Sequence, residues 1–223
     1  MDFINNNRYL ITGMIVGAVV VYFVSNFTTE RKLSQLQLSL DTSIEEASQE
    51  TVELALEVGR GGQMHKATAL IADCSSSERD TYEALLAGLD EGLSAADLAD
   101  LDNLFSRCAP IQAVRRTLMN MDLARRVDNF EELVNQRKQI GTYKQYDNEL
   151  ATLNLIVQLE EDITEISFDL VYLQREIINV LLSGGSRDSE KAMELKKRGV
   201  ELRTELSTKA NTAFELRSQL SES

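Results

Sequence analysis

The residues of this chain that are best suited to a defined chemistry are its two cysteines, Cys74 and Cys108. The first lies just before a predicted short helix and the second ends the next one, so folding the two helices together would bring the thiols close. A disulfide there would stabilise the fold by roughly 3–4 kcal/mol through loop closure. The alternative is two small buried residues that stay reduced. We predict the disulfide, and with it an oxidising compartment.

Arginines are concentrated in one segment of an otherwise acidic chain, with Asp122 as the only acidic residue among them that could oppose them. They are Arg107, Arg115, Arg116, Arg125 and Arg126. Arginine recognises carboxylates through charge-assisted hydrogen bonds. The segment could therefore form a basic strip for an acidic partner, including the acidic helix earlier in this chain. The alternative is a set of ordinary ion pairs within and between helices.

The remaining residues do not form a catalytic pattern. His65 is the only histidine, and no cysteine is close to it in sequence. The glycine-rich stretch 59–62 lacks the Lys-Ser/Thr of a phosphate-binding loop, and the acidic pairs Glu131-Glu132 and Glu160-Glu161 are predicted on helix surfaces. We predict no catalytic residues, no cofactor and no metal site, and therefore no enzyme. The net charge of −13 argues against a general nucleic-acid binder.

An uncharged segment of nineteen residues, 9–27, follows a short N-terminal tail of residues 1–8. At the helical rise it extends about 28 Å, close to the ~30 Å hydrocarbon core of a bilayer. We predict a single transmembrane helix. A cleaved signal peptide is the alternative, but Asp2 offsets Arg8 in the charged region and no A-x-A cleavage pattern follows.

Two glycines inside this segment, Gly13 and Gly17, have the G-x-x-x-G spacing that lets two membrane helices approach closely. This spacing is compatible with a homodimer. The alternative is that the glycines reflect only the general abundance of glycine in membrane helices.

The elements that position these residues are predicted to be helices, because the chain has a single proline and is rich in good helix formers. Residues 28–58 carry a heptad-like seam and predict a coiled-coil stalk. Residues 63–140 predict a bundle of four short helices that contains both cysteines. The first begins with a capping box at Ser75–Glu78, the second is capped by Ser94 with Asp97 at the N3 position, and a third runs from Pro110 to about Arg126. The fourth is predicted to begin with another capping box, formed by Asp128 and Glu131, and to end near Gly141.

The last part of the chain, residues 143–220, predicts a long antiparallel helical hairpin. Apolar residues from Ile156 to Val180 alternate steps of three and four, a glycine-containing break covers residues 183–188, and a weaker heptad pattern follows. The predicted fold class is therefore all-α, with a transmembrane helix, a coiled-coil stalk, a short-helix bundle and this hairpin.

These elements favour a single-pass, membrane-anchored scaffold or interaction protein of the cell envelope, acting through coiled-coil association with a protein partner. One alternative is a sensory or regulatory helical bundle that signals through a partner, and another is a cytoplasm-facing membrane-tethered adaptor. The charges beside the transmembrane segment, Arg8 against Arg31 and Lys32, nearly balance and so do not fix its orientation. The cysteines decide it, and we expect the C-terminal region to be extracytoplasmic.

Overall fold

Good helix formers dominate the chain after residue 30, and the described part of the computed structural model consists of successive helices. The structure describes the backbone of residues 2–60, 74–89, 91–109 and 111–222, and the side chains of 29–58, 74–89, 91–109 and 114–221. Over these residues the chain forms six α-helices and no strand, so the predicted all-α class is confirmed. The helices are α1 (Asp2–Arg60), α2 (Ser76–Gly88), α3 (Ala95–Cys108), α4 (Ile111–Gln139), α5 (Asp147–Leu182) and α6 (Glu190–Glu222).

Helix α1 has a continuous backbone that includes the segment predicted to cross a membrane. Among the residues that the structure describes, no helix is both long and apolar enough to span a bilayer. The side chains of residues 9–27, including Gly13 and Gly17, lie outside the described set. The side chains of residues 59–60 also lie outside it, as do residues 61–73, which include His65 and the rest of the glycine-rich stretch.

The seam predicted for a free-standing stalk instead forms part of a core shared with later helices. Ile44, Ala55 and Val58 of α1 are buried together with Phe130 of α4 and Leu153 of α5. A polar contact adds to this packing. The side-chain amide of Gln37 donates a hydrogen bond to the backbone carbonyl of Ile140 at 3.0 Å. Residues 44–58 of the predicted stalk therefore share one core with α4 and α5.

Helix α4 is one helix of 29 residues, where the sequence predicted two shorter ones with a break between Arg126 and Asp128. Its buried residues explain the continuity, because Leu123, Val127, Phe130 and Val134 lie on one face at helical spacing. Asp128 and Glu131, which were predicted to form a capping box, lie inside this helix, where the backbone N–H groups already have intrahelical partners. The prediction of two helices was wrong.

Helices α2 and α3 form a short hairpin that packs against the far end of α5. The predicted capping box between Ser75 and Glu78 is present, and the predicted cap at Ser94 is also a full capping box with Asp97. Ile178 of α5 is buried in the core of this hairpin. Because each cap satisfies N–H groups that would otherwise lack partners, the start of each helix is fixed locally by the sequence.

The long hairpin of α5 and α6 turns where the sequence predicted. Gly184 has a φ of +80°, a conformation that residues with a side chain rarely adopt. At Gly185 a Cβ atom would lie 2.7 Å from the carbonyl oxygen of Val180. The Gly185 N–H donates to that same oxygen at 2.9 Å, which closes the end of α5. Two adjacent glycines are thus required by two different constraints.

Candidate interaction groove and buried ion cluster

The two cysteines lie side by side at the base of the α2–α3 hairpin. Their sulfur atoms are at bonding distance and their Cα atoms are 5.3 Å apart. Both residues are buried, in contact with the core that includes Phe105. The pair of cysteines at disulfide distance that the sequence predicted is therefore present, and it ties the residue before α2 to the end of α3.

An ion pair between Glu78 and Arg107 lies next to this disulfide, and the pKa of Glu78 is strongly lowered. The Glu78 carboxylate accepts hydrogen bonds from the backbone N–H and the hydroxyl of Ser75, and from the Arg107 guanidinium at 2.6 Å. These interactions, with the backbone bond the largest, lower the pKa of Glu78 to about 2. The carboxylate is therefore ionised at all but strongly acidic pH.

The other arginines of the predicted basic strip point towards different neighbours. Arg125 pairs with Asp122 at 2.5 Å, and Arg126 pairs with Glu50 of α1 at 3.0 Å. Arg115 is buried, and burial, followed by the charge of nearby Arg79, lowers its pKa. The structure thus distributes these side chains around α4 and towards α1 and α2.

Arg116 belongs to a buried ion cluster that the sequence did not indicate. Glu160 of α5 has an exposed fraction of 0%. One of its carboxylate oxygens accepts from Arg217 of α6 at 2.5 Å, and the other accepts from Arg116 at 3.0 Å. Arg217 also donates to the Ala55 carbonyl of α1 at 2.7 Å. Glu160 and its two arginine partners therefore connect four helices, with Arg217 making the contact to α1.

The prediction that Glu160 lies on a helix surface was wrong. A signal was present in the sequence, because Glu160 lies four residues after Ile156 and three before Ile163, and both of these are buried. Arg217 likewise lies between the buried residues Ala213 and Leu220. A charged residue at an apolar position on each of two facing helices is the pattern that would have revealed the pair.

A groove between α4 and α5 exposes apolar side chains that a helical bundle would usually bury. It has a volume of about 420 Å³, and Thr117, Asn120 and Thr164 line it. Met121 is 63% exposed and Phe168 is 41% exposed. We call this feature the α4–α5 groove. Because it combines a flexible thioether with an aromatic ring, it offers a surface that adapts to an apolar side chain.

Three carboxylates follow the α5 side of the α4–α5 groove. Glu161, Glu165 and Asp169 are spaced by four residues, so they form a row along one face of the helix. All three are exposed, and among the described residues none of them takes part in an ion pair. Such a row is complementary to a helix with a basic residue at each turn.

The described geometry thus defines a helical bundle with an acidic-edged apolar groove on its side. Among the described residues, no group of three or more histidine, cysteine or acidic side chains is arranged to hold a metal ion. Comparisons of this chain with protein-family models, with curated proteins and with solved structures found no match.

Proposed function

We propose that this chain is a single-pass, membrane-anchored helical scaffold of the cell envelope that recruits a protein partner through the α4–α5 groove. The observation that carries the proposal is the exposure of Met121 and Phe168 beside a row of carboxylates. An amphipathic helix would bury its apolar residues in the groove and place its basic residues against the row.

The groove, rather than the heptad seams, is the surface that we assign to partner binding. The α1 seam from Ile44 to Val58 is buried within the fold. The seams of α5 and α6 likewise contain residues that are buried inside the molecule, including Ile163 and Leu202. Coiled-coil association with another chain would need these faces to be available, so binding through a side groove agrees better with the packing.

Anchoring by residues 9–27 is part of the same proposal, supported by the uncharged sequence and the unbroken helix that contains it. A homodimer is proposed only through the face of Gly13 and Gly17. On a straight α-helix Gly17 and Leu33 lie about 160° apart around the axis. A dimer that closes on the glycines therefore leaves the leucines of the seam outside the contact.

A photoreactive residue at position 168 tests the groove in cells that express the full-length protein. We expect a crosslinked species that is lost when Glu161, Glu165 and Asp169 are all changed to lysine, because the partner helix is basic. Phe214, which is 69% exposed on α6, is the matched control position and should give no such species. Equal crosslinking from both positions, or crosslinking that survives the charge reversal, would contradict the proposal.

The orientation is proposed as extracytoplasmic, since disulfides persist in oxidising compartments. A cysteine introduced at the exposed position Ser207 provides the test. In intact cells a membrane-impermeant maleimide should label the Ser207→Cys protein. Labelling that appears only after the cells are opened would support a cytoplasm-facing adaptor instead.

A further inference from the structure

A gap in the packing of the long hairpin lies opposite one residue, Gly199 of α6. This glycine occupies a seam position between Leu195 and Leu202, where a large apolar residue would complete the heptad pattern. A Cβ atom built on Gly199 would meet no other atom within 4 Å. Glycine is also the least favourable residue for a helix interior after proline. Neither packing nor helix propensity therefore explains it.

The space left by Gly199 is a cavity of about 220 Å³ between α5, α6 and the end of α2. Its walls are mainly apolar side chains, among them Leu89, Leu170 and Leu173. A dry apolar cavity of ~150 Å³ is sufficient to bind benzene, whereas sites for drug-sized molecules begin at ~300 Å³. The cavity therefore matches a single alkyl chain better than a bulky ring system.

The charged groups at this cavity are cationic. Lys196 precedes Gly199 by three residues and Arg203 follows it by four, so they flank the gap one turn away on each side. Gln174 faces them from α5, and none of the described residues that line the cavity is acidic. In a protein of net charge −13, this arrangement selects for an anion at the mouth of an apolar gap.

We propose that the Gly199 cavity binds a single-chain amphiphile with an anionic headgroup. The alkyl chain occupies the gap left by the missing side chain, and the carboxylate or phosphate lies between Lys196 and Arg203. The site shares no lining residue with the α4–α5 groove, and this proposal does not rest on the function proposed for that groove. An amphiphile bound in the cavity would contact both α5 and α6 and strengthen their packing. The cavity would then be a site at which lipid metabolites change the stability of the hairpin.

Photolabelling of the full-length protein in neutral phosphatidylcholine nanodiscs tests this site. The probe is dodecanoic acid with a terminal diazirine, and labelled peptides are mapped by mass spectrometry. We expect labels in α5 and α6 around Leu173 and Gly199, and several-fold weaker labelling there by the matching dodecanol probe. Excess unlabelled dodecanoate or dodecyl phosphate should compete, and the stronger competitor identifies the headgroup. If neither competes, or if the alcohol labels the cavity equally, the proposal is overturned.

The variant Gly199→Leu fills the gap and should reduce labelling of the cavity about tenfold or more, since the loss of contact with two methylene groups already has that effect. Its thermal stability should not fall, because a Cβ atom at this position meets no neighbour within 4 Å and leucine is more favourable than glycine in a helix interior. Ser207→Leu is the matched control on the exposed face of α6 and should label normally. As a second variant, Lys196→Gln with Arg203→Gln should remove the preference for the acid over the alcohol. Unchanged labelling in both variants would refute the site.

Discussion

Replacement of Glu160 by alanine is expected to destabilise the fold more than any single change on the described surface. The residue is fully buried, and each of its carboxylate oxygens accepts a hydrogen bond from a different arginine. Without it, the Arg217 guanidinium, whose side chain is only 8% exposed, keeps the Ala55 carbonyl as its described partner. A buried charge that loses its counter-ion costs about 3–5 kcal/mol.

The expected loss is large enough to measure by two methods. For a chain of this size, each kcal/mol corresponds to a shift of about 2–4 °C in Tm, so Glu160→Ala should melt about 6–20 °C below the wild-type protein. Urea unfolding followed by circular dichroism at 222 nm, with all proteins in the same detergent, gives the free energy directly. Glu161→Ala is the matched control, because the neighbouring residue is exposed and should change stability by no more than about 0.5 kcal/mol.

A triple variant separates the loss of a counter-ion from the loss of packing. Glu160→Leu combined with Arg116→Met and Arg217→Met removes all three charges and keeps similar side-chain volumes. We expect it to recover most of the stability that Glu160→Ala loses, since apolar replacements of buried ion clusters are often neutral or stabilising. The reasoning is refuted if Glu160→Ala unfolds within about 1 kcal/mol of Glu161→Ala, or if the triple variant is as unstable as the single one.

Two further predictions concern the α2–α3 hairpin. Changing Cys74 and Cys108 to serine should lower the free energy of unfolding by about 3–4 kcal/mol, because the disulfide closes a loop with a sequence separation of 34. Urea unfolding of the wild-type protein, oxidised and after dithiothreitol treatment, checks the same loss. Identical unfolding curves for the two forms would contradict it. The pKa of Glu78 is lowered from 4.5 to about 2 on folding, so its contribution to stability is present above pH 4.5 and is lost as the pH falls towards 2. Melting temperatures measured from pH 6 to pH 2 should therefore fall less steeply for Glu78→Gln than for the wild-type protein, and parallel curves would exclude this linkage.

The features that the sequence predicted correctly are those that local chemistry determines. Both capping boxes need only four consecutive residues, and the glycine turn after α5 needs only two. Heptad spacing also identified buried positions on α1, α5 and α6, among them Ile44, Ile163 and Leu202, but Leu33 and Leu36 of the α1 seam are exposed. Each of these signals is contained within one element, so no knowledge of its neighbours is required.

The features that were missed depend on how distant elements meet. The seam of α1 does not state which helix will cover it, and the structure places α4 there. The position of Glu160 between Ile156 and Ile163 was visible in the sequence, but its partners on α4 and α6 were not. The exposure of Met121 and Phe168 has no signature in the sequence either, because an exposed residue and a buried one follow the same helical period.

Because α1 is one continuous helix, it fixes how far along its axis each packed helix lies from residues 9–27. Pairing of Arg137 with Asp41 and of Arg126 with Glu50 shows that α4 runs antiparallel to α1, which places Met121 at about the level of Ala55. With residues 9–27 in the bilayer, Ala55 lies about 42 Å beyond the end of the membrane segment at the helical rise. In the proposed arrangement, with residues 9–27 as the anchor, the groove would thus be held at a fixed distance from the lipid surface. A partner rooted in the same membrane would need a reach of about 4 nm to engage it.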